Sequence, residues 1–120
     1  MTYDEAAKVL FASDHRPSDA EFAEAYAAEP ALALLTSRSC DRLTDAQFEA
    51  AVAANPHTAL SRPHACARLS DTQFATAIAI DPYNALSRTH ACARLSPAQF
   101  TVAIAVVPSA ADFKHVAERL

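Results

Sequence analysis

Phenylalanine and proline return along this chain at a fixed interval of 26 residues: Phe22, Phe48, Phe74 and Phe100, then Pro30, Pro56, Pro82 and Pro108. Around each phenylalanine the apolar positions fall at i, i+3 and i+4. They read Phe48, Ala51, Val52, then Phe74, Ala77, Ile78, then Phe100, Ala103, Ile104, and in the first copy Phe22, Ala25, Tyr26. That spacing draws one narrow apolar stripe along a helix. Recurring at a fixed period, it signals stacked units that bury their faces only against their neighbours. Alanine stands in every copy at 25, 51, 77 and 103 and at 33, 59, 85 and 111, where small side chains let helices approach closely.

The helix starts are written in local chemistry. Ser70 with Gln73, Thr44 with Gln47, Ser96 with Gln99, Ser18 with Glu21 and Thr2 with Glu5 are capping boxes, in which the hydroxyl and the N3 side chain each satisfy an otherwise orphaned amide. Leu69 with Phe74, and its counterparts Leu43 with Phe48 and Leu95 with Phe100, supply the accompanying hydrophobic staple. Each period proline pushes the residue before it out of the helical region, ending the long helix before Asn55, Asp81 and Val107. It can then open the next helix at its first position. Pro63 kinks or splits the second helix of its unit. The expected fold is all-α: an N-terminal capping helix over about residues 2–12 within a cap of residues 1–15, then an α-solenoid of about four 26-residue helix-corner-helix repeats. Their boundaries are about 16–41, 42–67, 68–93 and 94–120, roughly nine helices in one domain. Helices of two to three turns are too short to stand alone and must be held by stacking.

The stretch Ala51, Val52, Ala53, Ala54, Asn55, Pro56, His57, Thr58 resembles the core of the leucine-rich repeat variant, a bacterial family of short-helix, right-handed solenoids, with echoes from Ala77 to Pro82. The resemblance implies that architecture and a macromolecule-binding scaffold, and it carries over no catalytic residue.

Composition narrows the function classes. The 120 residues contain no glycine, which removes phosphate loops, dinucleotide fingerprints and nucleophile elbows. No run of about 20 apolar residues is present, so no membrane span is expected. The acidic start, Met1-Thr2-Tyr3-Asp4-Glu5, is unlike a secretory signal, and three cysteines that recur with the repeat read as reduced thiols of a cytoplasmic protein. Charge is uneven: residues 1–60 carry a net −6 and residues 61–120 a net +2.

Candidate chemistry is sparse. Cys40, Cys66 and Cys92 form a ladder, with His64 and His90 two residues before the last two. Residues at i and i+2 point to roughly opposite sides of a helix, so these are read as small buried apolar groups rather than metal ligands, and no cofactor is expected. Arg42, Arg68 and Arg94, joined by Arg62 and Arg88, form a second ladder. It is either a stripe for phosphates or an acidic partner, or a set of cations at helix C-termini that pair with Asp45 and Asp71 three residues on; the second is preferred. His15 beside Asp14, and His115 near Asp112 and Lys114, read as solvated surface groups. The column after each period proline varies between copies: Ala31-Leu32, His57-Thr58, Tyr83-Asn84, Ser109-Ala110. A varying column on a fixed frame is how repeat proteins present specificity residues, which makes His57, Thr58, Tyr83 and Asn84 candidates. The last long helix, residues 100–107, carries no charge on any face, so Val102, Val106, Phe113 and Val116 are expected to contact a second copy or a partner. The leading expectation is a non-enzymatic protein-binding module, with a homodimer through the C-terminal end as its simplest form. The alternatives are a small inhibitor of the anti-defence or antitoxin type, and a nucleic-acid-binding repeat using the arginine ladder.

Overall fold

In a computed structural model that describes residues 1–12 and 14–120, the protein is all-helical, with no strand among the described residues. The chain divides into two compact units, Met1–Ala54 and Asn55–Leu120. The first holds α1 (Tyr3–Leu10), α2 (Asp19–Ala28), α3 (Pro30–Ala33), α4 (Ser37–Arg42) and α5 (Asp45–Ala54). The second holds α6 (Pro56–Ser61), α7 (Pro63–Arg68), α8 (Asp71–Ile80), α9 (Pro82–Ser87), α10 (Thr89–Arg94), α11 (Pro97–Val106), a 3-10 turn (Pro108–Asp112) and α12 (Lys114–Ala117).

All five capping boxes form. In α8, Ser70 Oγ accepts from the Gln73 amide at 3.1 Å while the Ser70 amide donates to Gln73 Oε1 at 2.8 Å. In α5, Gln47 and Thr44 make the same exchange at 3.1 and 2.9 Å. Ser70→Ala removes one half of its box and is expected to lower stability by about 1 kcal/mol. A urea melt checks it, and an unchanged midpoint would show that α8 is held without its cap. The residue before each period proline leaves the helical region, with ψ of 75° at Glu29, 61° at Asn55, 72° at Asp81 and 72° at Val107.

The second half of each repeat differs from expectation. Among the described residues there are twelve α-helices rather than about nine, because this half splits into two short helices. Pro63 accounts for the break at Arg62, where the backbone is extended, but Arg88 is equally extended and precedes a threonine. The reason is a hydrogen bond from a distant residue. In an unbroken helix the Leu60 and Leu86 carbonyls would accept from the amides of His64 and His90. Instead His90 Nε2 donates to Leu60 O at 2.7 Å, and His115 Nε2 donates to Leu86 O at 2.6 Å. A carbonyl only accepts, so Nε2 carries the proton in both rings.

In the second unit like packs on like. α6 and the 3-10 turn both pack on α9, α7 and α12 on α10, and α8 and α11 against the α9 layer. The alanine columns form the close contacts: Ala59, Ala77, Ala85, Ala91 and Ala103 are all buried, with Leu60, Leu86, Phe74 and Phe100 filling the space between. At the last copy the expected Ala111 is only half-buried, and Ala110 occupies the core position instead. That segment is one residue shorter than its counterparts, and the larger rise per residue of a 3-10 turn spans the same distance with fewer residues. In the first unit α1 packs on α2 and α3, and α3 on α2 and α5. Ser39 takes a position that is alanine in later copies, and its buried hydroxyl is satisfied by Ala33 O at 2.9 Å and Thr36 Oγ1 at 2.7 Å.

Candidate protein-binding face

α8 and α11 each turn a buried stripe inward, Phe74, Ala77, Ile78 and Phe100, Ala103 respectively. The positions one, two, five and six residues after each phenylalanine lie on the opposite side. They are Ala75, Thr76, Ala79 and Ile80 on α8, and Thr101, Val102, Ala105 and Val106 on α11, all exposed. Ile80, Val102 and Val106 are 61, 65 and 64% exposed. A groove of ≈340 Å³ runs between the two helices, lined by Ile78, Ala79, Pro82, Gln99, Val102 and Val106 among others. The same offsets carry Ala23, Glu24, Ala27, Ala28 on α2 and Glu49, Ala50, Ala53, Ala54 on α5. A helix of this kind therefore needs only alanine and glutamate on its outer face. The branched apolar residues on α8 and α11 are additions that the fold does not require.

Residues 109–120 leave Val102 and Val106 exposed: the 3-10 turn packs on α9 and α11, and α12 lies on α10 and the 3-10 turn. Val116 is 0% exposed, which corrects its assignment as a surface contact. It fills the column occupied by Ala65 and Ala91, where a bulkier side chain is buried in the core. Phe113 is half-buried, edge-on to Tyr83 at 6.1 Å and stacked on His115 at 5.9 Å. His115 is thus neither solvated nor free, contrary to expectation; its ring is fixed by Phe113 and by the Leu86 carbonyl. Of the proline-following column, His57 and Tyr83 are exposed and Thr58 is half-buried. The Asn84 side chain is held by Asp81 at 2.7 Å, completing the start of α9 rather than reaching outward. Ile80 was not singled out from sequence, although it stands six residues after Phe74 as Val106 does after Phe100.

The arginine ladder resolves into two kinds of residue. Arg94 donates to Cys66 O at 2.5 Å and to Leu69 O at 2.7 Å, with its guanidinium 4.4 Å from the centre of the Phe74 ring. Arg119 repeats this on Cys92 O, Leu95 O and Phe100, and Arg42 on Pro17 O and Phe22. The carboxylates that two of them meet lie 23 residues back, not three residues on: Arg42 meets Asp19 at 2.9 Å and Arg94 meets Asp71 at 3.4 Å. Arg68 is half-buried, and Arg62 and Arg88 are exposed where one short helix gives way to the next. Cys40, Cys66 and Cys92 are buried and reduced, and burial pushes the Cys66 thiol up, with Arg94 opposing it. His15 is exposed and hydrogen-bonded to Asp14 at 2.9 Å, which lowers the Asp14 carboxyl. No group of three or more His, Cys, Asp and Glu able to hold a metal occurs among the described residues, and none of their helices is long and apolar enough to cross a membrane. Neither a protein-family model, nor a curated protein, nor a solved structure matches the chain.

Proposed function

We propose that this chain is a non-enzymatic helical-repeat protein of α-solenoid type that binds protein through the outer face of α8 and α11. The observation that carries the reading is the uncharged groove between α8 and α11, with Ala75, Ile78 and Ala79 on one side and the exposed Val102 and Val106 on the other, and the exposed Ile80 on the same outer face of α8. The same offsets are polar or minimal on α2 and α5, so the apolar residues are not there for folding. Like-on-like packing in the second unit and the 26-residue period support the solenoid. The groove fits an apolar helix without charge, laid in as helix-in-groove recognition requires. The chain itself presents such a helix in α11, so a second copy, related by a two-fold axis, is the occupant we propose. The side chains that resemble acid–base groups are engaged otherwise, His115 with Leu86 O and His15 with an exposed aspartate.

Light scattering at micromolar concentration is expected to show a dimer, and Val102→Glu or Val106→Glu is expected to return it to monomer with an unchanged thermal midpoint. A monomer would remove the second copy as occupant. The face is then read by a photo-crosslinking residue at Val102 in cells, with one at Ala50 on α5 as control. A monomer whose Val102 crosslinks no more than Ala50 would overturn the function.

A further inference from the structure

The first unit, residues 1–54, is strongly acidic, holding ten carboxylates against Lys8, Arg16, Arg38 and Arg42. Three of those four cations line the same two cavities, of ≈330 and ≈550 Å³, which also share Phe22. Arg38 and Arg42 stand one turn apart on α4 and so face the same side. Arg16 approaches from the segment before α2. Arg42 is fixed by Pro17 O and Asp19, its side chain only 11% exposed. Arg38 gives one N–H to Ala12 O at 2.7 Å and keeps its remaining donors. Arg16 is exposed and its side chain makes no hydrogen bond or ion pair among the described residues. The repeat does not require the Arg38 cation, since one and two periods later that position is His64 and His90.

The formal charges around these cavities balance, Arg16, Arg38 and Arg42 against Asp14, Asp19 and Asp41, but the hydrogen-bond donors are not all used. Asp19 lies on Arg42 at 2.9 Å and Asp14 on His15 at 2.9 Å. The third lining acid, Asp41, makes no hydrogen bond or ion pair with Arg16 or Arg38 among the described residues, so the guanidinium donors of Arg16 and all but one of those of Arg38 stay available. Val9, Leu10, Pro17 and Phe22 supply apolar surface beside it. A planar guanidinium fork matches a carboxylate with two parallel hydrogen bonds, and a cavity of this size is at the lower end of those that hold small ligands. We propose that this trench binds a monocarboxylate carried on an apolar body, its carboxylate between Arg16 and Arg38. Its lining residues are not those of the α8–α11 groove. The carboxylate could belong to a free acid or to the C-terminus of a peptide, and the chemistry recognised is the same.

Calorimetric titration with sodium octanoate tests it. Saturable binding is expected, with none for octanol, which keeps the chain and lacks the charge. Arg16→Gln and Arg38→Gln are each expected to weaken binding by roughly tenfold or more, while Val102→Glu binds as the unaltered protein does. Should Arg38→Gln unfold, Arg16→Gln still decides the matter, because the Arg16 side chain holds no part of the fold together. A short apolar peptide with a free C-terminus, compared with its amide, separates the sources: tighter binding of the free peptide than of octanoate assigns a peptide end, and the reverse assigns a free acid. Either result supports the site. Absence of saturable binding by both probes, undiminished binding in Arg16→Gln, or a preference for inorganic phosphate over octanoate would overturn it.

Discussion

Phe74→Ala is expected to destabilise the protein by about 3–5 kcal/mol, the range for truncating a buried aromatic side chain. Phe74 is 3% exposed, on the buried stripe of α8 with Ala77 and Ile78. Ala77, its neighbour in that stripe, is small and has little side-chain volume with which to refill the space, which favours the upper part of the range. The ring also carries the Arg94 guanidinium on its face, at 4.4 Å from the centroid. Cation–π contacts contribute about 0.5–2 kcal/mol depending on desolvation, and the alanine variant loses this contact together with the burial. Phe74→Leu separates the two effects, because it restores most of the volume but no π face. It is expected to recover more than half of the loss. Urea titration followed by circular dichroism measures both variants. A neutral Phe74→Ala would mean that the column of phenylalanines does not form the core.

The features legible in the sequence are those decided within a few residues. Capping boxes join residues three apart, and a proline acts on the residue beside it, so helix starts at Ser18, Thr44, Ser70 and Ser96 and long-helix ends at Ala54, Ile80 and Val106 follow from local chemistry. The break at Arg88 does not, because it depends on His115 reaching Leu86 O across 29 residues. The histidines carried the signal in their spacing: His64 and His90 are one period apart, and His115 follows at one residue less, in step with the shortened 3-10 segment. The same offset hides Arg119, which stands 25 residues after Arg94 and performs the same role. The outer face of α11 was legible because a ten-residue helix without a single charge is conspicuous. The depth of Val116 was not, because an exposed valine and one buried in an alanine column look alike in sequence. The sequence offers acid partners three residues on, at Asp45 and Asp71, whereas the carboxylates that Arg42 and Arg94 meet, Asp19 and Asp71, lie 23 residues back, a contact between residues far apart in sequence.

Arg94→Ala is expected to destabilise by about 2–3 kcal/mol, with the cost arising from backbone carbonyls rather than from its ion pair. Arg94 gives one N–H to Cys66 O in the last turn of α7 and another to Leu69 O just past it. Hydrogen bonds from a charged donor contribute about 1.5–3 kcal/mol each when desolvated. The full sum does not apply here. Cys66 O still accepts from the Leu69 amide at 3.2 Å, and the Arg94 side chain is 26% exposed, so water replaces part of what is lost. The carboxylate of Asp71 is fully exposed at 3.4 Å, and a solvated ion pair of that kind contributes little. Asp71→Asn is therefore expected to leave the unfolding midpoint unchanged. Arg94→Lys keeps the charge but loses the planar fork, and it is expected to recover less than half of the alanine loss. Added salt discriminates further, because screening at 1 M reduces the Debye length to about 3 Å. The difference between Arg94 and Arg94→Ala should persist there if carbonyl contacts carry it, and collapse if the ion pair does. A loss on Asp71→Asn equal to that of Arg94→Ala would assign the arginine ladder to charge pairing and remove the carbonyl bridge as the link between successive repeats.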